Sequence, residues 1–513
     1  MKFSTDLYDL IQALTQAEKR YIKIFMQAFS SKGSETQIEL FDSIARQRAY
    51  DEEAIRKQMS GKISPANFHV SKNRLYQLIL RGLYLFHSAN SEQEKLNQKV
   101  FQANLLRKKG LYKQSTELYD KALELARELE SFIHIPQALS GQAKAWQQQR
   151  NINQIANYVE RDLQEEKSAI EKYQGELVFQ HLEMRLLHVS HKNPTARTEA
   201  QLKVVKEIQS HPFLQDESAA RAISKRALWY FRFLNGFIAR YEGDYGKAAD
   251  CWSHFVADME QDPKNLPAQI MEFISNLNNL MFLQLEAARF EPSWATATKL
   301  ENLLSHETVS QDLFLIMKIR ERVIEFKLTW FLRNNQYAEG LAYWKNEVEK
   351  DWELDWRGQV GDFRRLLIEY LVTCLYLATG QAQAASEISE RLWENKALKD
   401  HDYLYASVLI TNLIIHFDLG NFQLLESISL NTYRVLYKKQ LLHGTEKLVF
   451  KYLRRYMRAM SQKEMLQSFK ELQQELSELQ EDKFEHILLD NLNLKVWIES
   501  KIRKTAMSLL GKR

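Results

Sequence analysis

The side chains able to act as ligands or acid–base groups are few and scattered. His181, Glu183, His188 and His191 lie close together, and His188 and His191, three residues apart, share one helix face. No third ligand follows in register, so the stretch reads as a hydrated helix surface rather than a metal site. Asp400-His401-Asp402 has the residue types to hold a cation but reads as a polar loop between two helical stretches. Arg320, Glu321 and Arg322 are neighbouring charges on a helix, with nothing to mark one as acid or base. The chain has no Gly-x-x-x-x-Gly-Lys-Ser/Thr or Gly-x-Gly-x-x-Gly phosphate loop, no His-Glu-x-x-His, no Cys-x-x-Cys and no Gly-x-Ser-x-Gly elbow. The expectation is no catalytic constellation, no cofactor, no metal, and a protein that is not an enzyme.

The elements that carry these residues are helices. Only 16 Gly and 7 Pro occur in 513 residues, and none of the 221 residues after Pro292 is proline. Proline removes a donor and clashes with the preceding turn, and glycine costs backbone entropy, so a large chain that avoids both reads as all-α. The two cysteines, Cys251 and Cys374, sit in apolar helical stretches and read as buried free thiols, which fits a reducing compartment. The N-terminal residues lack the continuous apolar core of a secretory signal, and no apolar run reaches bilayer-spanning length. A cytoplasmic protein without membrane insertion is expected. Net charge is +4, and residues 1–100 supply that surplus with 15 Lys/Arg against 11 Asp/Glu. So small an asymmetry does not imply nucleic acid.

Internal repetition orders the rest. Gly110-Leu111-Tyr112 leads to Ser115 and Tyr119; Gly243-Asp244-Tyr245 to Ala248 and Trp252; Asn335-Gln336-Tyr337 to Gly340 and Trp344. Segments at Gly380 and Gly420 follow the plan more loosely, and fainter turns fall at Arg150-Asn151, Lys192-Asn193-Pro194, Arg289-Phe290 and Ser461-Gln462. Gly or Asn tolerates the left-handed conformation that ends the first helix of a hairpin. The aromatic two residues on fills the turn, the small residue allows close helix approach, and the second aromatic fills the groove between hairpins.

At these residues the chain resembles the tetratricopeptide repeat family, and Gly236 stands where that family has its first-helix glycine. The resemblance spans roughly residues 95–480, with longer and less regular helices. It implies a right-handed α-α superhelix, a TPR-like solenoid, in which neighbouring hairpins must stack because one alone cannot bury its apolar face. It also implies that certain first-helix residues face a concave groove: Asn104, Arg107 and Lys108; Lys144, Gln147 and Gln148; Phe233, Phe237, Arg240 and Tyr241; and Arg333. In peptide-binding members of the family, Asn, Lys and Arg at such places clamp a carboxylate. The expected partner is a protein or an acidic or C-terminal peptide.

The ends differ from the repeats. Residues 1–92 read as an N-terminal helical bundle, 93–480 as the repeats, and 481–513 as a capping helix with a basic tail. Thr15-Gln16-Ala17-Glu18 has the capping-box pattern. Val70 to His87 forms a periodic helix whose polar side carries Lys72, Asn73, Arg74, Gln77 and Arg81. Two readings stand: a bundle that caps the solenoid, or a helix-turn-helix-like effector whose activity peptide binding would regulate. The stripe Leu466, Phe469, Leu472, Leu476 and Leu479 reads as a buried helix face, with a short coiled coil as the other option.

Overall fold

The computed structural model describes residues 5–29, 34–47, 49–88, 91–190, 196, 199–261, 266–352, 361–458, 461–479 and 493–510. Among them the regular structure is helical, with no strand. None of these helices is long and apolar enough to cross a membrane. His191, the Lys192-Asn193-Pro194 turn and the last three residues of the basic tail lie outside the described residues.

The chain folds as two compact units. The first comprises Met1–Phe179, Ser218–Leu228 and Ser310–Phe314; the second comprises Gln180–Glu217, Trp229–Val309 and Leu315–Arg513.

The first unit begins with α1 (Asp6–Ala13), α2 (Gln16–Phe29), α3 (Ser34–Ala45), α4 (Glu52–Gln58) and α5 (Phe68–Ser88). They enclose their own core, built from residues such as Ile11, Ile22, Phe41, Ile55, Leu75 and Ile79. The capping box forms as the sequence suggests: the Glu18 amide donates to Thr15 Oγ1 at 3.2 Å and the Thr15 amide donates to Glu18 Oε2 at 2.7 Å. Next come α6 (Glu92–Lys108), α7 (Tyr112–Glu128), α8 (His134–Gln149) and α9 (Ile152–Asn157). A π-turn over Tyr158–Asp162 joins α9 to α10 (Leu163–Ser190).

Then follow α11 (Glu199–Gln209), α12 (Glu217–Ile223) and α13 (Lys225–Glu242), paired with α14 (Tyr245–Glu260). The next hairpin is α15 (Ile270–Glu286) with α16 (Phe290–Asn302), followed by the single turn α17 (Glu307–Ser310). After it come α18 (Leu313–Arg333) with α19 (Tyr337–Tyr343) and the short α20 (Glu349–Asp351). Three further hairpins are α21 (Asp362–Ala378) with α22 (Ala382–Glu394), α23 (Asp402–Asp418) with α24 (Phe422–Lys438), and α25 (Gly444–Arg458) with α26 (Gln462–Leu479). Finally, α27 (Leu494–Arg503) lies against α26. From α6 onward, successive helices within each unit pack against one another as a helical repeat.

One local device closes seven of the hairpins. Gly110, Arg150, Gly243, Ala288, Asn335, Gly380 and Gly420 all take positive φ. At each, the next residue's amide reaches back five positions, as from Leu111 to Leu106 O at 3.0 Å and from Gln381 to Tyr376 O at 2.9 Å. The positive-φ residue itself bonds three positions back, so two helix-end carbonyls are satisfied without solvent.

The small residues act as their spacing suggests. Ser115 is buried and donates to Ala103 O at 2.8 Å, which brings α7 close to α6. A Cβ on Gly340 would lie 2.7 Å from Phe331 Cβ, and one on Gly236 would lie 2.7 Å from the Trp252 ring. The Leu466–Leu479 stripe is the inward side of α26, with Phe469, Leu472 and Leu476 buried in the core of the second unit.

Candidate functional site

The first helices of successive hairpins in the second unit carry polar stripes on faces not used for stacking. On α18 the stripe is Lys318, Arg322, Glu325, Thr329 and Arg333, at steps of four, three, four and four. The packing faces of that helix are apolar and buried, including Ile319, Val323, Phe326 and Leu328, while Arg320, Glu321 and Lys327 lie off the stripe. Helical periodicity puts all five stripe residues on one side. On α15, Ser275, Asn278, Asn279 and Glu286 form a similar stripe, interrupted by Phe282. Arg240 at the end of α13, Arg364 near the start of α21 and Tyr403 on α23 complete the wall of a pocket of about 460 Å³.

Five cations and two carboxylates line this pocket. Glu286 is taken by Arg333, whose Nη2 donates to its two oxygens at 3.0 and 3.3 Å. Glu325 is taken by Arg364. Arg322 is held loosely, with Nε 3.6 Å from Glu321 Oε1 and Nη1 4.0 Å from Glu325 Oε2. The Lys318 ammonium meets the Met271 sulfur at 4.0 Å and has no carboxylate within ion-pair distance among the described residues. Arg240 has its guanidinium 5.9 Å from the centre of the Phe237 ring and no ion pair among the described residues.

Burial acts on these groups in one direction. It lowers the pKa of Arg240 and Arg322, and it lowers that of Lys318 with help from neighbouring Arg322. It raises the Glu321 carboxyl. In each case desolvation disfavours the charged form, which marks a site poor in compensating charge. Polar atoms of lining residues that are buried without a hydrogen-bond partner include one donor, Trp252 Nε1, and one acceptor, Asn278 Oδ1. A pocket with excess positive charge is suited to an anion.

The groove residues expected from the repeat register fall in different settings. Arg240 and Arg333 line the pocket together. Phe233 and Phe237 are partly buried on α13 and contact each other at 6.0 Å. Tyr241 is 1% exposed and belongs to the interior, so it presents no surface to a ligand. In the first unit, Asn104 uses its side chain internally: it accepts from the Tyr119 hydroxyl at 2.9 Å and donates to Val100 O at 3.0 Å. Arg107 is half-buried with Nε enclosed, whereas Lys108, Lys144, Gln147 and Gln148 are exposed.

The repeat motif does not single out Lys318, Arg322, Glu325 and Arg364 as binding residues. The signal that could have found the first three is the recurrence of polar residues at steps of three and four along α18.

The remaining candidates are plainly placed. His181 and His188 are exposed on α10 and Glu183 is partly buried there. His401 packs on the Phe363 ring at 4.7 Å, and Asp402 pairs with Lys439 at 2.6 Å. Among the described residues no three His, Cys, Asp or Glu are grouped to hold a metal. On α5, Lys72 is committed inward to Glu52 and the Tyr50 hydroxyl at 2.8 and 2.7 Å, whereas Asn73, Arg74, Gln77 and Arg81 do not share that buried cluster.

No protein-family model, no curated protein and no solved structure matches this chain.

Proposed function

We propose that this protein is a non-catalytic interaction scaffold of tetratricopeptide-like repeats, and that it binds an acidic segment of a protein partner in the pocket lined by α13, α15, α18 and α21. The observation that carries this reading is the charge imbalance: five cations face two carboxylates, and both carboxylates are already paired. Charge-assisted bonds from Arg and Lys to carboxylates would supply both energy and orientation. Apolar lining residues such as Phe282, Leu367 and Leu371 would take the flanking side chains. The two free thiols support a cytoplasmic setting.

The test is a pull-down with mass spectrometry followed by direct titration of acidic peptides from the captured proteins. Wild type is compared with the charge reversals Arg240→Glu and Arg322→Glu. The reading expects submicromolar to micromolar binding that weakens at high salt and is lost in the variants. Equal binding by folded variants would remove the pocket from consideration.

A second reading is a peptide-sensing regulator with an N-terminal effector. It draws on the separate core of α1–α5 and on the exposed Arg74 and Gln77 of α5. The inward pairing of Lys72 weighs against nucleic acid as its target. Retention on DNA with a steep salt slope would favour it over the scaffold.

A further inference from the structure

Resting on the acidic-segment reading, we propose that the anion this pocket selects is a phosphate monoester on a side chain of the bound segment, not a carboxylate. Internal pairing leaves positive charge over. Glu286 and Glu325 are committed to Arg333 and Arg364. Among the lining groups the five cations exceed the two carboxylates by three, and Glu321 and Glu272, outside the lining, offset part of that surplus at Arg322 and Lys318. A bound carboxylate would cancel one charge. A phosphate monoester carries about −1.5 to −2 at neutral pH and cancels more of the surplus.

Donor geometry points the same way. The Arg322 nitrogens lie 3.6 and 4.0 Å from their nearest carboxylate oxygens, beyond hydrogen-bonding range, so that guanidinium has N–H groups to give. Arg240 makes no side-chain hydrogen bond among the described residues, and Lys318 reaches only a thioether. Three phosphoryl oxygens can use this many donors, whereas a carboxylate offers two oxygens. The volume of about 460 Å³ takes the phosphoryl group and the side chain that carries it. Burial already disfavours the charge on Arg240, Lys318 and Arg322, so a dianion relieves an electrostatic cost present in the unliganded protein.

The experiment uses the full chain, calorimetry and thermal shift. The probes are inorganic phosphate, acetate, and a degenerate phosphoserine peptide pool with its serine and aspartate counterparts. The expected result is a rise in Tm with phosphate but not acetate. The phosphoserine pool should bind at least tenfold tighter than the aspartate pool and tighter than phosphate alone. Arg240→Gln and Lys318→Gln should each cut that affinity at least tenfold, while Arg458→Gln on α25 leaves it unchanged. Because neither removed cation has an ion pair among the described residues and burial disfavours its charge, the unliganded Arg240→Gln and Lys318→Gln proteins should melt no lower than wild type, which separates lost binding from lost folding.

Equal affinity for the phosphoserine and aspartate pools would overturn the phosphate inference and leave the acidic-segment reading standing. Phosphate binding as tightly as the phosphoserine pool would overturn the assignment to a partner's side chain, in favour of a small phosphorylated ligand. Failure of every probe to bind would overturn the inference and the reading beneath it.

Discussion

Glu52 shows how a charged residue in this protein is used where nothing in its neighbourhood of sequence announces it. It is 7% exposed and receives Lys72 at 2.8 Å, Arg56 at 2.7 Å and the Tyr50 hydroxyl at 2.8 Å. Burial alone would raise its pKa, but the hydrogen bonds from Lys72, Arg56 and Tyr50 outweigh that and hold the carboxyl below its usual range. A lowered folded-state pKa means that its contribution is complete above the unfolded value near 4.5 and is lost as pH falls through the folded value. Acid titration of stability should therefore show an extra loss below about pH 4.5 that Glu52→Gln abolishes. An unchanged slope in the variant would mean that the cluster contributes nothing. Lys72 stands in sequence as one of several cations on the polar side of α5, yet it is the one turned inward. Asn104 is similar: its type fits a clamp, but the Tyr119 hydroxyl has claimed it. Residue type reveals what a group can do, and only its neighbours reveal whether that capacity is already used.

Among the elements, the hairpin turns were the most legible part of the chain. Left-handed turns at Gly110, Gly243, Asn335, Gly380 and Gly420 follow from residue preference, because Gly meets no Cβ penalty there and Asn only a small one. Arg150 and Ala288 take the same conformation, with φ of 57° in each case, so the stacking of their hairpins overrides an unfavourable residue. The asymmetry gives a paired prediction. Gly380→Ala should lower stability by about 1 kcal/mol, and Ala288→Gly should raise it by a similar or smaller amount. Chemical denaturation of both variants checks this; two changes of the same sign would contradict it. The repeat register was harder to read, since a π-turn at Tyr158–Asp162 and another at Trp344–Val348 shift the helices in which they lie. Such insertions change which residues face inward without changing composition, so a fixed repeat length misplaces individual positions.

At the scale of the molecule, the second unit is fastened by contacts between residues far apart in the chain. Asn493 donates to Asn335 Oδ1 at 2.5 Å and to the Tyr337 hydroxyl at 3.1 Å. The Trp497 indole donates to Asp418 at 3.2 Å and its ring packs on Phe417 and Phe469. In a repeat array each hairpin draws its stability from its neighbours, so damage at one place stays local. Trp497→Ala should cost about 3–5 kcal/mol where it acts. Hydrogen exchange should then quicken in α23, α26 and α27, while α6–α8 of the first unit keep their protection. Uniform loss of protection would mean that the whole chain unfolds as one cooperative block.

The all-α class, the hairpin turns and the buried stripe of α26 are written in the chain itself, because each depends on interactions within a few residues. Helix propensity, the avoidance of proline and the left-handed preference of Gly and Asn act locally and survive in a one-dimensional reading. The pocket arises from packing. Arg240, Lys318, Arg322, Arg333 and Arg364 come from three separate helices, and their shared lining exists only once those helices stack. Which cations keep uncompensated charge depends on where Glu286 and Glu325 fall, and pairing across helices is set by how the helices meet rather than by spacing along the chain.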